Sequence, residues 1–402
     1  MMKIVAAFGL AALATAIVLD ARTPAMASTS IDACVDRLRV SAINAGVSRS
    51  VANEALGIVA YDERAVKFSR AQPEFKTPLW DYIAFLVDRK RIADGQRMLE
   101  RHSATLDRIE ETYRVDRHVV VAIWGVESDF GQVEGGFHVP HALANVICSG
   151  RRAKFFQREL NTILGLVTRG DVALADLSGS WAGAFGQTQF MPSTYKALAV
   201  DFDGDGRRDL VNSVPDALAS TANFLKDAGW RDTRPWGYEV TVPSGFSGPT
   251  GRTERAEMAT WRKRGLRKVD GSALPSAGSA ALIRPAGKGG PSFLVTRNFD
   301  ALYRYNVAIS YALAIGHLAD RLGGGEAFVT AWPTDDAGLS RAQRLDLQKL
   351  LIAAGYDIGD ADGKIGPMTR GGIRAAEEDK GLPVTGRAGQ KIYRTLGGQL
   401  SE

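Results

Sequence analysis

Glu127 is the residue of this sequence with the clearest capacity for chemistry. It lies within residues 115–130, where Val119, Ile123 and Val126 recur at the spacing of one apolar helix face. A carboxyl group on the flank of that face and near a helix C-terminus is disfavoured in its charged form, which raises its pKa. A glutamate that keeps its proton at neutral pH can donate it to a leaving oxygen. Periodicity alone equally allows an ordinary surface glutamate at a helix end.

The elements that must position this glutamate are mainly helical. Its own helix is expected to begin at Asp116, which can cap it, and to end at Gly131. Apolar spacing predicts further helices throughout residues 31–225 and again over 302–322. Gly, Pro, Ser and charged residues dominate 230–297, where short alternating runs indicate strands. The sequence therefore predicts a mainly α fold of the α+β class with a small β-containing insertion.

Composition excludes few classes of protein but bears on the partners. Of 402 residues, 45% are hydrophobic and 24% charged, so wholesale disorder is excluded. The 50 Lys and Arg exceed the 45 Asp and Glu by only five, without a long basic run. A nucleic-acid partner is therefore not expected.

The N-terminus has the form of an export signal. A short basic start and an apolar run over residues 4–19 precede small residues up to Ala27, which predicts a signal peptide over 1–27. The run is shorter than the roughly 20 residues that span a bilayer, although an uncleaved membrane anchor is the alternative. In the oxidising compartment that export implies, Cys34 and Cys148 can pair, or they can be two buried free thiols.

Three ordered sequence blocks carry a resemblance to a known family. They are WGVESDFG at residues 124–131, SWAGAFGQTQFMPS at 180–193, and YN at 305–306 followed by SY at 310–311. Over residues 31–322 the chain thereby resembles the lytic murein transglycosylases of the B type. These are goose-lysozyme-like enzymes of glycoside hydrolase family 103.

The resemblance implies a lysozyme-like, two-lobed catalytic domain over residues 28–329, with a cleft for a glycan strand. It assigns the single acid and base to Glu127. Eight further side chains are implied to contact sugar, the last two by looser alignment: Ser180, Gln189, Phe190, Tyr305, Asn306, Tyr311, Tyr82 and Arg152. By residue type alone, Phe190 and Tyr311 would be core residues and Ser180 a loop residue.

The implied reaction cleaves the β-1,4 bond between N-acetylmuramic acid and N-acetylglucosamine and leaves a 1,6-anhydro-N-acetylmuramyl end. One glutamate can protonate the leaving oxygen and later accept the proton of the muramyl 6-hydroxyl, whereas ordinary glycosidases need two carboxylates. Asp129 and Glu134 are the nearest candidates for a second carboxylate. A hydrolytic muramidase is therefore one alternative, and a non-catalytic protein that binds the cell wall is another. The expected setting is a periplasmic monomer that acts on peptidoglycan, without an organic cofactor, and that partners cell-wall synthesis or division proteins.

An acidic loop predicts a structural Ca²⁺ site. Four carboxylates stand at positions 1, 3, 5 and 9 of an EF-hand-like loop: Asp201, Asp203, Asp205 and Asp209. Gly206 occupies position 6, where the sharp turn falls, but position 12 is Asn212 rather than Glu. The family resemblance suggests Asp216 as the residue that closes a longer loop. The alternative is a solvated acidic turn.

The end of the chain resembles a second family. Residues 330–338 are a predicted linker, and residues 339–402 resemble a peptidoglycan-binding domain of the three-helix type. The resemblance is carried by DGKIGPMT at 362–369 and GLPVTG at 381–386. It implies that this unit targets the enzyme to the cell wall, while the alternative is a folded appendage without affinity.

Overall fold

The computed structural model describes residues 23–57, 59–70, 77–231 and 234–400. Most of the predicted signal peptide, including its apolar run, lies outside these residues. No helix within the described ranges is long and apolar enough to cross a membrane.

Helices form most of the described chain. In order they are α1 Thr23–Asn44, α2 Arg49–Leu56, α3 Glu63–Arg70, α4 Leu79–Leu86, α5 Arg89–Arg101, α6 Ser103–Tyr113, α7 Arg117–Ser128, α8 Val139–Cys148, α9 Ala153–Thr168, α10 Pro192–Leu198, α11 Val214–Asp227, α12 Met258–Lys263, α13 Arg297–Tyr305, α14 Ile309–Leu322, α15 Arg341–Ala353, α16 Pro367–Asp379 and α17 Gln390–Thr395. The strands are β1 Phe137–His138, β2 Ser178–Gly179, β3 Gly237–Thr241, β4 Arg255–Glu257, β5 Arg267–Lys268, β6 Ser279–Ile283 and β7 Ser292–Val295. The predicted mainly α class is confirmed.

Helix α7 is the central helix of the fold. The Asp116 side chain accepts a hydrogen bond from the His118 N–H and caps its start, as predicted. The expected end at Gly131 is wrong, because Asp129 adopts the left-handed conformation with φ 51° and ends the helix after Ser128. The expected single apolar face is also too narrow, since every residue from Val119 to Gly125 is buried. Helices α5, α6, α11 and α14 pack around α7 and cover its sides.

Two hydrophobic cores give the catalytic region its two lobes. The first surrounds α7 and includes residues of α4, α6, α11, α13 and α14. The second joins α1, α2, α8 and α9 with the segment 177–211. A disulfide between Cys34 and Cys148, with Cα atoms 5.9 Å apart, ties α1 to α8 and decides between the two alternatives for the cysteines. Tyr305 and Phe224 pack against both cores and so mark the junction of the lobes.

The predicted β-containing insertion is a five-stranded antiparallel sheet in the order β4-β6-β7-β3-β5. Its side chains alternate between two cores. Phe293 and Val295 point into the core of α7, while Leu294 faces a small separate core with Trp261.

The helix predicted over residues 302–322 is instead two helices. Helix α13 ends at Tyr305, and α14 begins at Ile309. Asn306 and Ala308 between them are extended, each with φ −140°. This break turns the chain at the point where it meets α7.

The C-terminal unit is a three-helix domain with its own core. Ser340 and Gln343 form a capping box at the start of α15. Leu347, Leu351 and Ile373 are among the buried residues that hold α15, α16 and α17 together.

Candidate active site

A cavity of about 360 Å³ lies where α4, α7, α14 and α15 meet. The side chains around it are mostly apolar or uncharged: Thr77, Tyr82, Phe85, Leu86, Val126, Glu127, Asn306, Tyr311 and Arg344. A concave, largely apolar site with a few polar groups is the usual form of a ligand pocket. The structure thus brings four of the predicted site residues to one cavity, namely Tyr82, Glu127, Asn306 and Tyr311.

Glu127 is half-buried in this cavity, one residue before the end of α7. Burial raises the pKa of its carboxyl to about 7, and a hydrogen bond from Tyr311 partly opposes that rise. The Tyr311 hydroxyl donates to Glu127 Oε1 at 2.5 Å. Burial and the neighbouring Glu127 charge hold the pKa of Tyr311 well above its ordinary value, so this hydroxyl keeps its proton. Glu127 Oε2 is therefore the oxygen that can carry and release a proton.

Tyr305 and Phe190 lie behind the cavity and support Tyr311. The Tyr305 ring stacks almost parallel to that of Tyr311, with centroids 6.2 Å apart. Its hydroxyl donates to the Thr188 carbonyl oxygen at 2.6 Å. Phe190 is buried, and its ring centroid lies 6.1 Å from that of Tyr305.

Ser180 and Gln189 shape the loop between β2 and α10. Ser180 Oγ accepts hydrogen bonds from the N–H groups of Ala182 and Ala184. Gln189, with φ 51°, donates through Nε2 to the carbonyl oxygens of Glu134 at 3.1 Å and Gly186 at 2.9 Å. These bonds fix the local conformation of the loop.

The loop is attached to α7 through Gln187, whose Oε1 accepts a bond of 3.0 Å from Trp124 Nε1. Gly186 beside it has φ 73°, and a Cβ there would lie 2.8 Å from the Leu210 carbonyl oxygen, so only glycine fits. Arg152 is exposed at the start of α9, where its guanidinium lies 4.4 Å from the centre of the Phe155 ring. It is not among the residues that line the cavity.

The two candidates for a second carboxylate do not line the cavity. Asp129 accepts a hydrogen bond of 2.5 Å from Arg341 of the C-terminal unit. Glu134 lies beside the Gln189 loop, and burial followed by the charges of Asp176 and Asp209 raises the pKa of its carboxyl. Within the described ranges, Glu127 is the one carboxyl that lines the cavity.

The acidic loop brings three of its five predicted ligands together. Carboxylate oxygens of the exposed Asp201, Asp203 and Asp205 all lie within 4.8 Å of one another. Asp216 is fully buried and accepts bonds from the N–H groups of Phe202, Asp203 and Asp209. Asp209 accepts bonds from the N–H groups of Val211 and Asn212. These last two acids organise the loop, and the cluster of three offers the hard oxygen donors that Ca²⁺ prefers.

Sequence reasoning missed Phe85 and Arg344 as cavity residues. One signal was available for the arginine. Arg341 and Arg344 both lie in the first turns of α15, where the helix dipole disfavours cations. Basic residues at that position indicate acidic or ligand partners outside the helix.

Comparison with known families defines the class of protein. Residues 30–320 match the family described as "Transglycosylase SLT domain", and residues 340–396 match that described as "Putative peptidoglycan binding domain". The chain belongs to the lytic murein transglycosylases, lyases that cleave the glycan strands of peptidoglycan to anhydro ends, and it carries a C-terminal peptidoglycan-binding domain. The resemblance drawn from the three sequence blocks is confirmed.

Particular relatives agree with this assignment. Membrane-bound lytic murein transglycosylase B of Escherichia coli (strain K12) is 32% identical over 263 residues, which are 64% of this chain and 71% of that protein. SltB3 from Pseudomonas aeruginosa is 42% identical with a TM-score of 0.74, over 91% of this chain and 99% of SltB3. Its crystal structures hold NAG-anhNAM-pentapeptide and NAG-NAM-pentapeptide. Escherichia coli Slt35, solved in complex with calcium, is 27% identical with a TM-score of 0.63, over 74% of this chain and 93% of Slt35.

Proposed function

We propose that Glu127 is the single acid and base of this lytic transglycosylase. The observation that carries the proposal is its half-buried carboxyl, which lines the cavity with a pKa of about 7 and accepts the Tyr311 hydrogen bond at one oxygen. A general acid works best when its pKa lies near the working pH. Such an acid is protonated in a large fraction of molecules at neutral pH and gives its proton up readily.

The reaction needs one proton to move out and one to return. Glu127 Oε2 gives its proton to the glycosidic oxygen as the bond from that oxygen to muramyl C1 breaks. The muramyl 6-hydroxyl oxygen then bonds to C1, and its proton passes to Glu127. No water is consumed, so a second carboxylate that activates water is not required. The substrate's own N-acetyl group can stabilise the positive charge that develops at C1.

The neighbouring side chains have supporting roles in this proposal. Tyr311 holds Glu127 in place, and Tyr305 stacks on the Tyr311 ring and fixes it. Tyr82 and Asn306 line the cavity and can contact the sugar. Ser180, Gln189 and Arg152 are proposed to bind the glycan strand beyond the cavity, since none of them lines it. Phe190 is buried behind Tyr305 and is proposed to support the cavity from there rather than to contact sugar.

We also propose that Ca²⁺ binds the acidic loop in a structural role, with Asp201, Asp203 and Asp205 as its carboxylate ligands. Their oxygens lie within 4.8 Å of one another. Asp209 and Asp216, the other two predicted ligands, are proposed to support the loop from behind through the backbone N–H groups that they accept.

The location and boundaries of the enzyme are proposals as well. The signal sequence supports export to the periplasm with cleavage after Ala27. The family matches support a catalytic domain over 28–329, a linker over 330–338 and a binding domain over 339–402. The enzyme is proposed to act as a monomer beside proteins of cell-wall synthesis or division.

Mass spectrometry of the muropeptides released from purified sacculi tests the catalytic proposal. Wild type is expected to release 1,6-anhydro-muropeptides, and Glu127→Gln is expected to release none above background. Glu134→Gln is the matched control, because it removes another carboxyl whose pKa burial raises but which does not line the cavity. Anhydro products from Glu127→Gln would refute the role of this residue. Reducing-end products from wild type would favour the muramidase alternative and a second carboxylate.

A further inference from the structure

Arg344 brings a positive charge of the C-terminal unit into the cavity of Glu127. Its guanidinium carbon lies 4.4 Å from the centre of the Phe85 ring. Nε donates to the Leu339 carbonyl oxygen at 3.2 Å, and Nη2 donates to the Asp81 carbonyl oxygen at 3.1 Å. The planar group is thus held in one orientation against the cavity wall, by stacking on one side and main-chain oxygens on the other.

Ion pairs on both sides of Arg344 fix the C-terminal unit against this wall. Arg341 pairs with Asp88 at 2.8 Å and with Asp129 at 2.5 Å, two residues beyond Glu127 in sequence. Arg387 pairs with Asp81 at 2.5 Å. The Asp88 and Asp81 side chains are only 3% and 9% exposed, so water screens these pairs less than ordinary surface pairs. Arg344 therefore belongs to the cavity wall rather than to a separate mobile domain.

No ion pair with an acidic side chain reaches Arg344 within the described ranges. The Asp81 carboxylate acts on Arg344 only through its charge, which opposes the fall in the pKa of the arginine, and Asp81 is itself paired with Arg387. Burial is the main cause that lowers the pKa of Arg344 to about 10, and the arginine is still a cation at neutral pH. Among the described residues no hydrogen bond or ion pair joins Arg344 to Glu127, whose carboxyl is bonded to Tyr311 instead. Arg344 Nη1 donates to no acceptor in the part of the chain that the structure describes. A half-buried guanidinium with free donors matches a carboxylate ligand.

We propose that Arg344 is an anion subsite of the catalytic cavity and binds a carboxylate of the muramyl side of the substrate. This inference rests on the proposed function. In a peptidoglycan strand the N-acetylglucosamine units are uncharged. A carboxylate is found on the lactyl group of a peptide-free muramyl unit or along its stem peptide. A fixed cation beside Glu127 therefore distinguishes muramyl from glucosaminyl units and sets which of them occupies the cleavage position.

Calorimetric binding of three synthetic tetrasaccharides of alternating N-acetylglucosamine and N-acetylmuramic acid tests this subsite. The first has free lactyl acids, the second has lactyl methylamides without charge, and the third has L-alanyl-D-glutamate stems. Binding is measured with the full chain in a Glu127→Gln background, so turnover is not needed. Arg344→Met is expected to weaken binding of an acidic ligand about 10- to 100-fold and of the methylamide less than about 3-fold. Loss on the first ligand identifies the lactyl carboxylate, and loss on the third alone identifies the stem.

Two further variants test whether the loss of binding is due to the charge at position 344. Lys349→Met removes an exposed charge from the same helix and is expected to bind all three ligands as the background protein does. Arg344→Lys keeps the charge and is expected to restore part of the affinity that Arg344→Met loses for an acidic ligand. Equal weakening on all three ligands, or none on any, would overturn the proposal. A wild type that makes no anhydro products would instead refute the proposed function and would leave this binding result intact.

Discussion

The cavity carboxyl Glu127 and the loop carboxylates Asp201, Asp203 and Asp205 show how surroundings decide the use of one functional group. Glu127 is half-buried among apolar side chains and accepts one hydrogen bond, from Tyr311. The loop carboxylates are exposed and lie close together, and Asp201 accepts bonds from the N–H groups of two glycines. A dry site favours the neutral acid, whereas water and backbone donors favour the anion. The first arrangement suits a proton donor and the second a cation ligand.

The largest expected effect separates the two regions by activity. Glu127→Gln is expected to lower kcat about 10²- to 10⁴-fold, because the amide cannot donate the proton that the leaving oxygen needs. Asp203→Asn is expected to change kcat less than about 3-fold in saturating calcium, because the loop lies outside the cavity. Release of soluble product from sacculi gives both rates. A comparable loss in both variants would mean that the loop also serves the chemistry.

The next effect separates the regions by stability. Removal of Ca²⁺ with a chelator is expected to lower the thermal midpoint of wild type by about 5 °C, since a cation that binds only the folded state stabilises it. Asp203→Asn, which removes one proposed ligand, is expected to show little further loss on chelation. Scanning calorimetry with and without chelator measures both shifts. An unchanged midpoint in wild type would contradict the metal site.

The stability of the cavity itself is expected to depend on pH. The folded-state pKa of Glu127, about 7, lies above its ordinary value of 4.5. The fold therefore prefers the neutral acid, and wild type loses stability as pH rises from about 4.5 through about 7. Glutamine does not titrate. The free energy of unfolding of Glu127→Gln, measured relative to that of wild type, is therefore expected to rise by about 1–3 kcal/mol from pH 5 to pH 8.

Urea unfolding at the two pH values measures this gain. Glu326→Gln, a change at an exposed position, serves as the matched control and is expected to show no such difference. If the stability of Glu127→Gln relative to wild type were the same at pH 5 and pH 8, burial would not raise the pKa of the Glu127 carboxyl.

The smallest expected effect concerns the hydrogen bond from Tyr311 to Glu127 and the pKa of that carboxyl. The Tyr311 hydrogen bond lowers the pKa of Glu127. Tyr311→Phe removes that bond, so the pKa should rise and the alkaline limb of the profile of kcat/KM against pH should move to higher pH. The rate of muropeptide release, measured across pH, gives the position of this limb. Tyr61→Phe, at an exposed position, is the control and is expected to leave the limb where it is in wild type. Movement of the limb to lower pH would contradict this arrangement.

Local patterns predicted the local features well. The Asp116 cap and the raised pKa of Glu127 followed from spacing and helix position, because both depend on near neighbours in sequence. Features that depend on distant packing were not predictable in this way. Asp129 ends α7, two residues before Gly131, although both residues adopt the left-handed conformation. The break at Asn306 contains neither Gly nor Pro, the residues that usually indicate one.

The composition of the cavity was beyond local patterns for the same reason. The Tyr311–Glu127 bond joins residues 184 positions apart, and of the two only Tyr311 depended on the family resemblance. Phe85 and Arg344, which meet across two folded units, were missed. In the acidic loop, spacing indicated Asp209 as a ligand but not the hydrogen bonds that its carboxylate accepts from the N–H groups of Val211 and Asn212.

The packing of Arg344 against Phe85 has a consequence for recombination between genes. A domain that merely tethers an enzyme can be exchanged for another of the same kind without effect on the enzyme's selectivity. Here an exchange of residues 339–402 would also replace one wall of the cavity that holds Glu127. A chimera that joins this catalytic region to a foreign binding domain therefore keeps the same cavity only if it preserves the first turns of α15. It must also preserve the ion pairs that hold the binding domain against the catalytic region.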